Sequence, residues 1–377
     1  FQFGTNWNGF TFAVGGVLGS LFTYEVLTAF FIEAGFLGVM LFGWDKVGPK
    51  LHFFSTCLVV FGVTLSAFWI LAANSWMQTP DGAVMQSNGQ FTVTDWWHVI
   101  FNHSVIPRYI HMMLAAWITT AFVIFGVSAY YLKKQLHVDF AKTCMKFSLC
   151  GLLVLTLAQG FVGDAVGLEV VKYQPIKTAA MEGVWDTQDG APFLPFAIPD
   201  VDTEQNYWAI KIPYVAAILN TGHIHGRLIG LKSVPKADRP FVPFTFFAFR
   251  IMVYMALIMI GMVFLGLFMW WRKKLFTSRW YLTLAQWCSP IGFIALWCGW
   301  VTAETGRQPW VVYNYLRTSD ASSPINIHHI IIAFALIVAV YGVVFGYFYF
   351  KYLLKVIKAG PTQDVTRDDH PFHYLGH

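Results

Sequence analysis

The chain has 377 residues, of which 56% are hydrophobic and only 12% are charged. Soluble domains carry about 25% charged residues, so this composition excludes an ordinary soluble protein and predicts an integral membrane protein. The formal net charge of +5 comes from basic residues between apolar runs, and it gives no support to nucleic-acid binding.

Apolar runs long enough to cross a bilayer recur along the chain, since a hydrocarbon core of roughly 30 Å needs about 20 residues per helix. They cover residues 12–43, 53–77, 109–132, 142–162, 245–271, 280–303 and 327–350. The sequence therefore predicts an all-α fold, a polytopic transmembrane helix bundle with about seven spans. We divide it into membrane helices over 1–162, a long external loop over 163–244, membrane helices over 245–358 and a tail over 359–377.

Basic residues predict which side of the membrane each connection faces, because short loops rich in Lys and Arg stay in the cytoplasm. One alternating set of connections carries Lys46, Lys50, Lys133, Lys134, Lys142, Arg272, Lys273, Lys274, Arg279, Lys351, Lys355 and Lys358. The opposite connection over 78–107 has no Lys or Arg. We therefore expect a multi-pass protein of a bacterial cytoplasmic membrane, with a periplasmic long loop and a cytoplasmic C-terminus.

Two carboxyl groups, Glu25 and Glu33, interrupt the first apolar run. On a regular α-helix they lie about 12 Å apart along the axis and roughly 80° apart around it, so both can face one interior. Carboxyl groups within a membrane are costly and usually functional. They predict either a ligand to a haem iron or a step in a proton path. Ser66 and Asn74 on the next run are candidate hydrogen-bonding companions, although helix–helix packing is the more common reason for such residues.

An imidazole and a thioether, those of His111 and Met252, lie at similar depths below the outer ends of two inward-running spans. Such a pair can provide both axial ligands of a low-spin haem b. Arg250 lies roughly 200° around the helix from Met252, so its side chain can reach the edge of that haem only if it bends around the helix. The alternative is that His111 is a hydrogen-bonded core residue.

A carboxylate, a guanidinium and an indole meet where the run 291–303 ends, in the sequence Glu304-Thr-Gly-Arg-Gln-Pro-Trp310. Charge at that depth indicates function. Together with FQFGTNW at the start, YEVLTAFFIE in the first span and the FAFRIM run, this GRQPW motif resembles subunit I of the bacterial cytochrome bd-type quinol oxidases. The resemblance covers essentially the whole chain to about Lys358.

The resemblance implies roles for individual residues. His111 and Met252 match the low-spin haem ligands, with Arg250 beside that haem. Glu25 matches the carboxylate at the oxygen-binding haem iron, and Glu33 matches the proton-path acid below it. Glu304, Arg307 and Trp300 match positions at the second high-spin haem. The proton route is matched by Ser66, Asn74 and His52, and the quinol contacts by Lys177 and Glu182.

The implied cofactors are a low-spin haem b, a high-spin haem b and a haem d, or a further haem b in its place. The resemblance also implies that a quinol is oxidised on the outer side and dioxygen is reduced to water with cytoplasmic protons, which would build a proton gradient by charge separation without pumping. The implied partners are a homologous subunit II, a small accessory subunit, quinol, dioxygen and membrane lipid.

Two features depart from the family pattern. The family has about nine spans, and one of its haem ligands, a histidine, precedes the position of Phe1. Because Phe1 is not Met, we expect an N-terminally truncated chain. The segment Leu231–Phe244 is short, which resembles the short-loop, cyanide-insensitive branch.

Two other functions compete with this interpretation. A haem-copper oxidase could use His328 and His329, but it needs more histidines at matched depths. A proton-coupled transporter could use Glu25 and Glu33 as its acids, but the sequence lacks an inverted repeat or broken spans.

Overall fold

The computed structural model describes residues 6–361 of the chain. Within that range, seven helical segments are long and apolar enough to cross a membrane, which confirms the predicted all-α transmembrane fold. They are Asn8–Phe42, Pro49–Gln78, Trp96–Lys134, Val138–Tyr173, Lys236–Trp271, Arg279–Thr305 and Ile327–Ala359. The FQFGT start and most of the predicted tail lie outside the described residues.

The first span is not a regular α-helix. It consists of α1 (Asn8–Glu25), a π-helical turn (Val26–Phe30) and α2 (Phe31–Phe42). Such π turns occur frequently at functional sites, and this one separates the two intramembrane carboxyl groups. The second span is the single helix α3 (Pro49–Gln78), which begins with proline where the missing N–H costs nothing.

The third span has a short helix α4 (Trp96–Ile100) before α5 (Val105–Lys134), and the fourth is α6 (Val138–Tyr173). The apolar run that predicted α6 ends at residue 162, whereas the helix continues to Tyr173. The external loop therefore begins later than the predicted boundary at residue 163. Hydropathy marks where a helix meets polar residues such as Asp164, and it does not mark where the backbone stops being helical.

The external segment after α6 folds into short elements around its own apolar core. They are α7 (Pro175–Glu182), β3 (Gln188–Asp189), β4 (Ile198–Asp200), β5 (Gln205–Tyr207), α8 (Val215–Thr221), β6 (Arg227–Leu228) and two 3₁₀ turns, Leu231–Ser233 and Lys236–Asp238. β3 pairs with β6 and β4 with β5, both antiparallel. Ala180, Trp185 and Leu231 are buried in this core, so α7 is held firmly above the membrane helices.

Two further antiparallel hairpins lie at the same end of the bundle. One is β1 (Ala83–Met85) with β2 (Phe91–Val93), and the other is β7 (Trp310–Val312) with β8 (Leu316–Arg317). Phe91 packs with Trp76 at the outer end of α3. Both hairpins therefore pack against the end of α3.

The remaining helices complete the bundle. They are α9 (Val242–Trp271), α10 (Arg279–Trp287), α11 (Ile291–Thr305), α12 (Thr318–Ala321), α13 (Ile327–Tyr347) and, after a π turn (Phe348–Leu353), α14 (Leu354–Ala359). The largest core lies between α5, α6, α9 and α10, around Phe122, Leu149 and Tyr281. In contrast, α13 buries none of its residues against the described chain, so it presents an apolar surface to lipid or to another subunit.

Candidate functional site

Polar residues from several spans meet α3 at successive depths. Gly62 of α3 faces Glu33, Ser66 bonds Glu25, and Asn74 bonds Glu304. Gly62 and Ser66 are one turn apart, whereas Ser66 and Asn74 are separated by about 12 Å. α3 is therefore the element that brings the sequence-predicted acids into one row.

The two acids of the first span both face α3, as the sequence predicted. The Ser66 hydroxyl donates a hydrogen bond of 2.8 Å to Glu25 Oε1. A Cβ added at Gly62 would lie 2.9 Å from Glu33 Cγ, so only glycine leaves room for this side chain. Glu33 Oε1 is buried without a hydrogen-bonding partner among the described residues. Because the π turn inserts extra backbone between the acids, the 80° estimate for a regular helix does not apply.

His52 lies near the inner end of α3, about 21 Å from Ser66 along the helix. Its Nε2 is 2.9 Å from the Met40 carbonyl oxygen, and its ring packs on Trp44. These contacts tie His52 to the C-terminal end of the first span. They do not connect it directly to Glu33.

Seven polar residues converge at the outer end of the bundle, and we call this set the outer polar cluster. Its members are Asn74, Gln78, Arg108, Gln174, Lys177, Glu304 and Arg307. Asn74 connects two of the charged groups, because its amide donates to Glu304 at 3.0 Å and accepts from Arg108 at 2.5 Å. Arg307 Nη2 donates to the other carboxylate oxygen of Glu304 at 2.5 Å.

Positive charge exceeds negative charge in the outer polar cluster. Arg108, Lys177 and Arg307 are cationic in their usual forms, and Glu304 is the one carboxylate among the cluster's members. Arg307 is 5% exposed, and its Nε and Nη1 are buried without a partner among the described residues. Burial lowers the pKa of Arg307, while the Glu304 carboxylate opposes that change. Such a site favours an anionic group.

Lys177 projects from α7 into this cluster and not into the external solvent. Its ammonium donates to Gln78 at 2.6 Å and to Gln174 at 2.8 Å, and the side chain is buried. Burial, and then the nearby charges of Arg108 and Arg307, lower the pKa of Lys177 well below its usual value. The aliphatic stem lies against Gly306, where an added Cβ would be 2.8 Å from Lys177 Cγ.

Glu182, at the other end of α7, points to a different partner. Its carboxylate forms a buried ion pair of 2.7 Å with Arg250 of α9. Arg250 Nε also donates to the Leu194 carbonyl at 2.7 Å, and the guanidinium stacks on Phe193. In the structure these two predicted quinol-contacting residues have different partners: Lys177 lies in the outer polar cluster, and Glu182 pairs with Arg250 of the helix that carries Met252.

His111 lies on α5, one turn inside Arg108, and faces α6. Its Nε2 is 3.3 Å from Gln159 Nε2, while its buried Nδ1 has no hydrogen-bonding partner among the described residues. Gly163, one turn beyond Gln159, leaves room beside the ring, since an added Cβ would lie 3.4 Å from His111 Cε1. The ring thus has one nitrogen held by the protein and one available to a ligand.

Met252 lies on α9 and faces α11. A Cβ added at Gly299 would be 3.1 Å from Met252 Sδ, so the lack of a side chain at Gly299 lets the thioether pack closely against α11. Trp300 follows immediately and is partly buried, one turn inward from Glu304. Arg250 and Met252 face different neighbours, as their predicted angular separation requires.

Four residues of the site were not assigned roles from the sequence. Arg108, Gln78 and Gln174 complete the outer polar cluster, and Gln159 contacts His111. Only Arg108 carried a usable signal, because an arginine at the outer end of a span opposes the usual charge bias. The glutamines gave none, since their importance depends on contacts between residues far apart in sequence.

Comparisons with known proteins agree on one family. Residues 1–361 match the family described as cytochrome bd terminal oxidase subunit I. The chain is 35% identical to cytochrome bd ubiquinol oxidase subunit 1 of Bacillus subtilis (strain 168), over 99% of this chain and 82% of that protein. It is 31% identical to cytochrome bd-II ubiquinol oxidase subunit 1 of Escherichia coli (strain K12), over 90% of this chain and 79% of that protein.

A solved structure supports the same relationship. The bd oxidase from Geobacillus thermodenitrificans matches with a TM-score of 0.85 and 27% sequence identity, covering 96% of this chain and 82% of that chain. The likeness therefore extends through nearly the whole described fold.

Proposed function

Because this chain belongs to the cytochrome bd terminal oxidase subunit I family, we propose residue roles that follow from the contacts described above. The chain is a subunit of a terminal quinol oxidase and a multi-pass protein of the inner membrane. The family implies haem cofactors and a subunit II. The transporter alternative is not favoured.

The low-spin haem b is held by His111 and Met252 in this proposal. The observation that carries it is the buried Nδ1 of His111, which has no partner within the described chain. A lone imidazole nitrogen without a hydrogen bond is costly in a core, and an iron ligand removes that cost. When bound, the haem supplies one-electron transfer, and its methionine ligand raises the reduction potential.

The outer polar cluster is suited to haem carboxylates. Arg307 has two buried donors without partners, and Arg108 and Lys177 bond only neutral side chains. A carboxylate group here would offset their excess positive charge. Glu304 then balances Arg307 and orients Asn74 beside one of the two high-spin haems, a haem b, with Trp300 packed one turn below.

The row of acids along α3 supplies protons for oxygen reduction. Glu33 carries protons from the His52 end of the helix towards Glu25, and Ser66 orients the Glu25 carboxylate by its hydrogen bond. Glu25 is assigned to the iron of the oxygen-binding haem, which is haem d or a further haem b. Protons consumed from the inside and released outside would separate charge without a pump.

The external segment after α6 forms the quinol site. Glu182 accepts a proton from bound quinol and remains tied to Arg250, two residues before Met252. Lys177 contributes from the other end of α7. This arrangement keeps quinol oxidation next to the helix that carries a low-spin haem ligand.

The exposed face of α13 supports docking of the homologous subunit II, since that helix buries no residue against the described chain. The Lys-rich connections support a cytoplasmic C-terminus and a periplasmic quinol site, since basic short loops stay in the cytoplasm. A small accessory subunit belongs to the same proposal.

The quinol site is tested in the purified oxidase complex with Glu182→Gln and Lys177→Gln. Both changes should lower quinol turnover by at least tenfold while the low-spin haem band of the reduced-minus-oxidised spectrum stays native. Lys211→Gln, in an exposed part of the same segment, is the matched control and should leave turnover unchanged. Native turnover in both site variants would remove this segment from the quinol site.

A further inference from the structure

Gln159 is the polar side chain that α6 directs at the imidazole of His111. Its amide nitrogen is 3.3 Å from His111 Nε2, and its Oε1 is buried without a partner among the described residues. Two buried polar atoms of this residue pair, Gln159 Oε1 and His111 Nδ1, are therefore left without a hydrogen bond. Unsatisfied buried groups in a native protein call for an explanation.

The amide orientation offers the first part of that explanation. The oxygen and nitrogen of a glutamine amide occupy equivalent positions, and their assignment follows from the hydrogen-bond network. Exchanging them puts Oε1 next to the ring nitrogen, where it can accept an N–H. This exchange satisfies the amide oxygen and fixes the imidazole tautomer, leaving the other ring nitrogen deprotonated.

The backbone around Gln159 provides the second part. Gly163 lies one turn further along α6, on the same face, and an added Cβ there would touch His111 at 3.4 Å from Cε1 and 3.7 Å from Nδ1. Without that Cβ, α6 leaves space beside the ring on the side of its deprotonated nitrogen, while the other nitrogen keeps its contact with Gln159. The pair Gln159 and Gly163 thus supplies one hydrogen-bond acceptor and space beside the second ring nitrogen.

We propose that Gln159 is a positioning residue for the low-spin haem, accepting the N–H of the His111 nitrogen that does not bind iron. This inference rests on the proposed ligation of that haem by His111. A hydrogen bond to the outer nitrogen of a metal-bound histidine sets the ring's orientation and makes it a stronger donor to the metal. A stronger donor stabilises the ferric over the ferrous state, so Gln159 lowers the reduction potential of this haem.

The test is a spectroelectrochemical titration of the low-spin haem in the intact oxidase complex. Gln159→Leu removes the acceptor and should favour the ferrous haem by roughly tenfold, which for a one-electron couple raises the midpoint potential by about 59 mV. Gln159→Glu retains an acceptor oxygen at the same position, so its potential should not exceed the native value.

A control on the same helix separates the hydrogen bond from a general change in polarity. Thr156 is buried, and its hydroxyl bonds the Leu152 carbonyl of its own helix. Thr156→Val should therefore leave the potential at its native value. A native potential in Gln159→Leu, or equal shifts in Gln159→Leu and Thr156→Val, would overturn the inference.

The underlying ligation is checked separately with His111→Ala. If the low-spin absorption persists in His111→Ala, the proposed ligand is wrong and the inference falls with it. If that absorption is lost but Gln159→Leu keeps the native potential, only the role of Gln159 fails.

Discussion

The buried ion pair between Arg250 and Glu182 connects the quinol segment to α9, and Arg250→Met is the sharpest way to test it. The side chains are only 3% and 4% exposed, and methionine keeps much of the length of arginine while removing its charge. Removing one partner of a buried pair costs about 3–5 kcal/mol, because the other charge stays buried and uncompensated. At 1.4 kcal/mol per factor of ten, the opening equilibrium of α7 should rise roughly a hundred to several thousandfold.

Hydrogen exchange of the α7 amides in the purified complex measures that opening directly. The double variant Arg250→Met with Glu182→Gln leaves no buried charge, so it should recover most of the lost protection. Arg239→Met is the control. Its partner Glu204 is partly exposed and also contacts Lys236, so α7 should keep native exchange. Native exchange in Arg250→Met, or a double variant no better protected than the single one, would refute the reasoning.

Three further predictions concern the stability and the proton path. Lys177→Met should remove a rise of stability with pH. Because the pKa of Lys177 is lowered in the folded protein, the unfolded chain binds more protons below about pH 10.5, and the unsubstituted protein gains stability as the pH rises towards that value. Thermal unfolding at pH 7 and 10 checks this, and an equal change of stability in the variant and the unsubstituted protein would contradict it. Gly306→Ala should lower stability by about 1–3 kcal/mol in the same assay, because its Cβ would meet Lys177 at 2.8 Å, whereas Gly342→Ala meets nothing within 4 Å and should be neutral. Ser66→Ala should slow oxygen consumption by up to about tenfold at unchanged quinol KM, since a side-chain hydrogen bond contributes about 0.5–1.5 kcal/mol net; a native rate would exclude Ser66 from proton delivery to Glu25.

Hydropathy was enough to predict the membrane helices, because the requirement for apolar residues in lipid acts on each helix separately. It did not predict that α6 continues to Tyr173, since helical hydrogen bonds persist beyond the membrane boundary. It also did not predict the π turn after Glu25. Nothing in the composition of Val26–Phe30 distinguishes it from the α-helix on either side.

The candidate site was predictable only where one residue carries an unusual cost by itself. Glu25, Glu33 and Glu304 were found because a carboxyl group in an apolar run needs a reason. The pairing of Glu182 with Arg250 depends on how the external segment folds back onto α9, which no local pattern reveals. For the same reason, the sequence did not predict that Lys177 lies in the outer polar cluster.

The central claim is that His111 and Met252 bind a low-spin haem, and magnetic circular dichroism of the intact oxidase complex tests it most directly. Met252→Leu removes the sulfur ligand at nearly constant volume, so we expect the low-spin ferric signal to convert to a high-spin one, and His111→Ala should abolish it. A native low-spin signal in either variant would contradict the account.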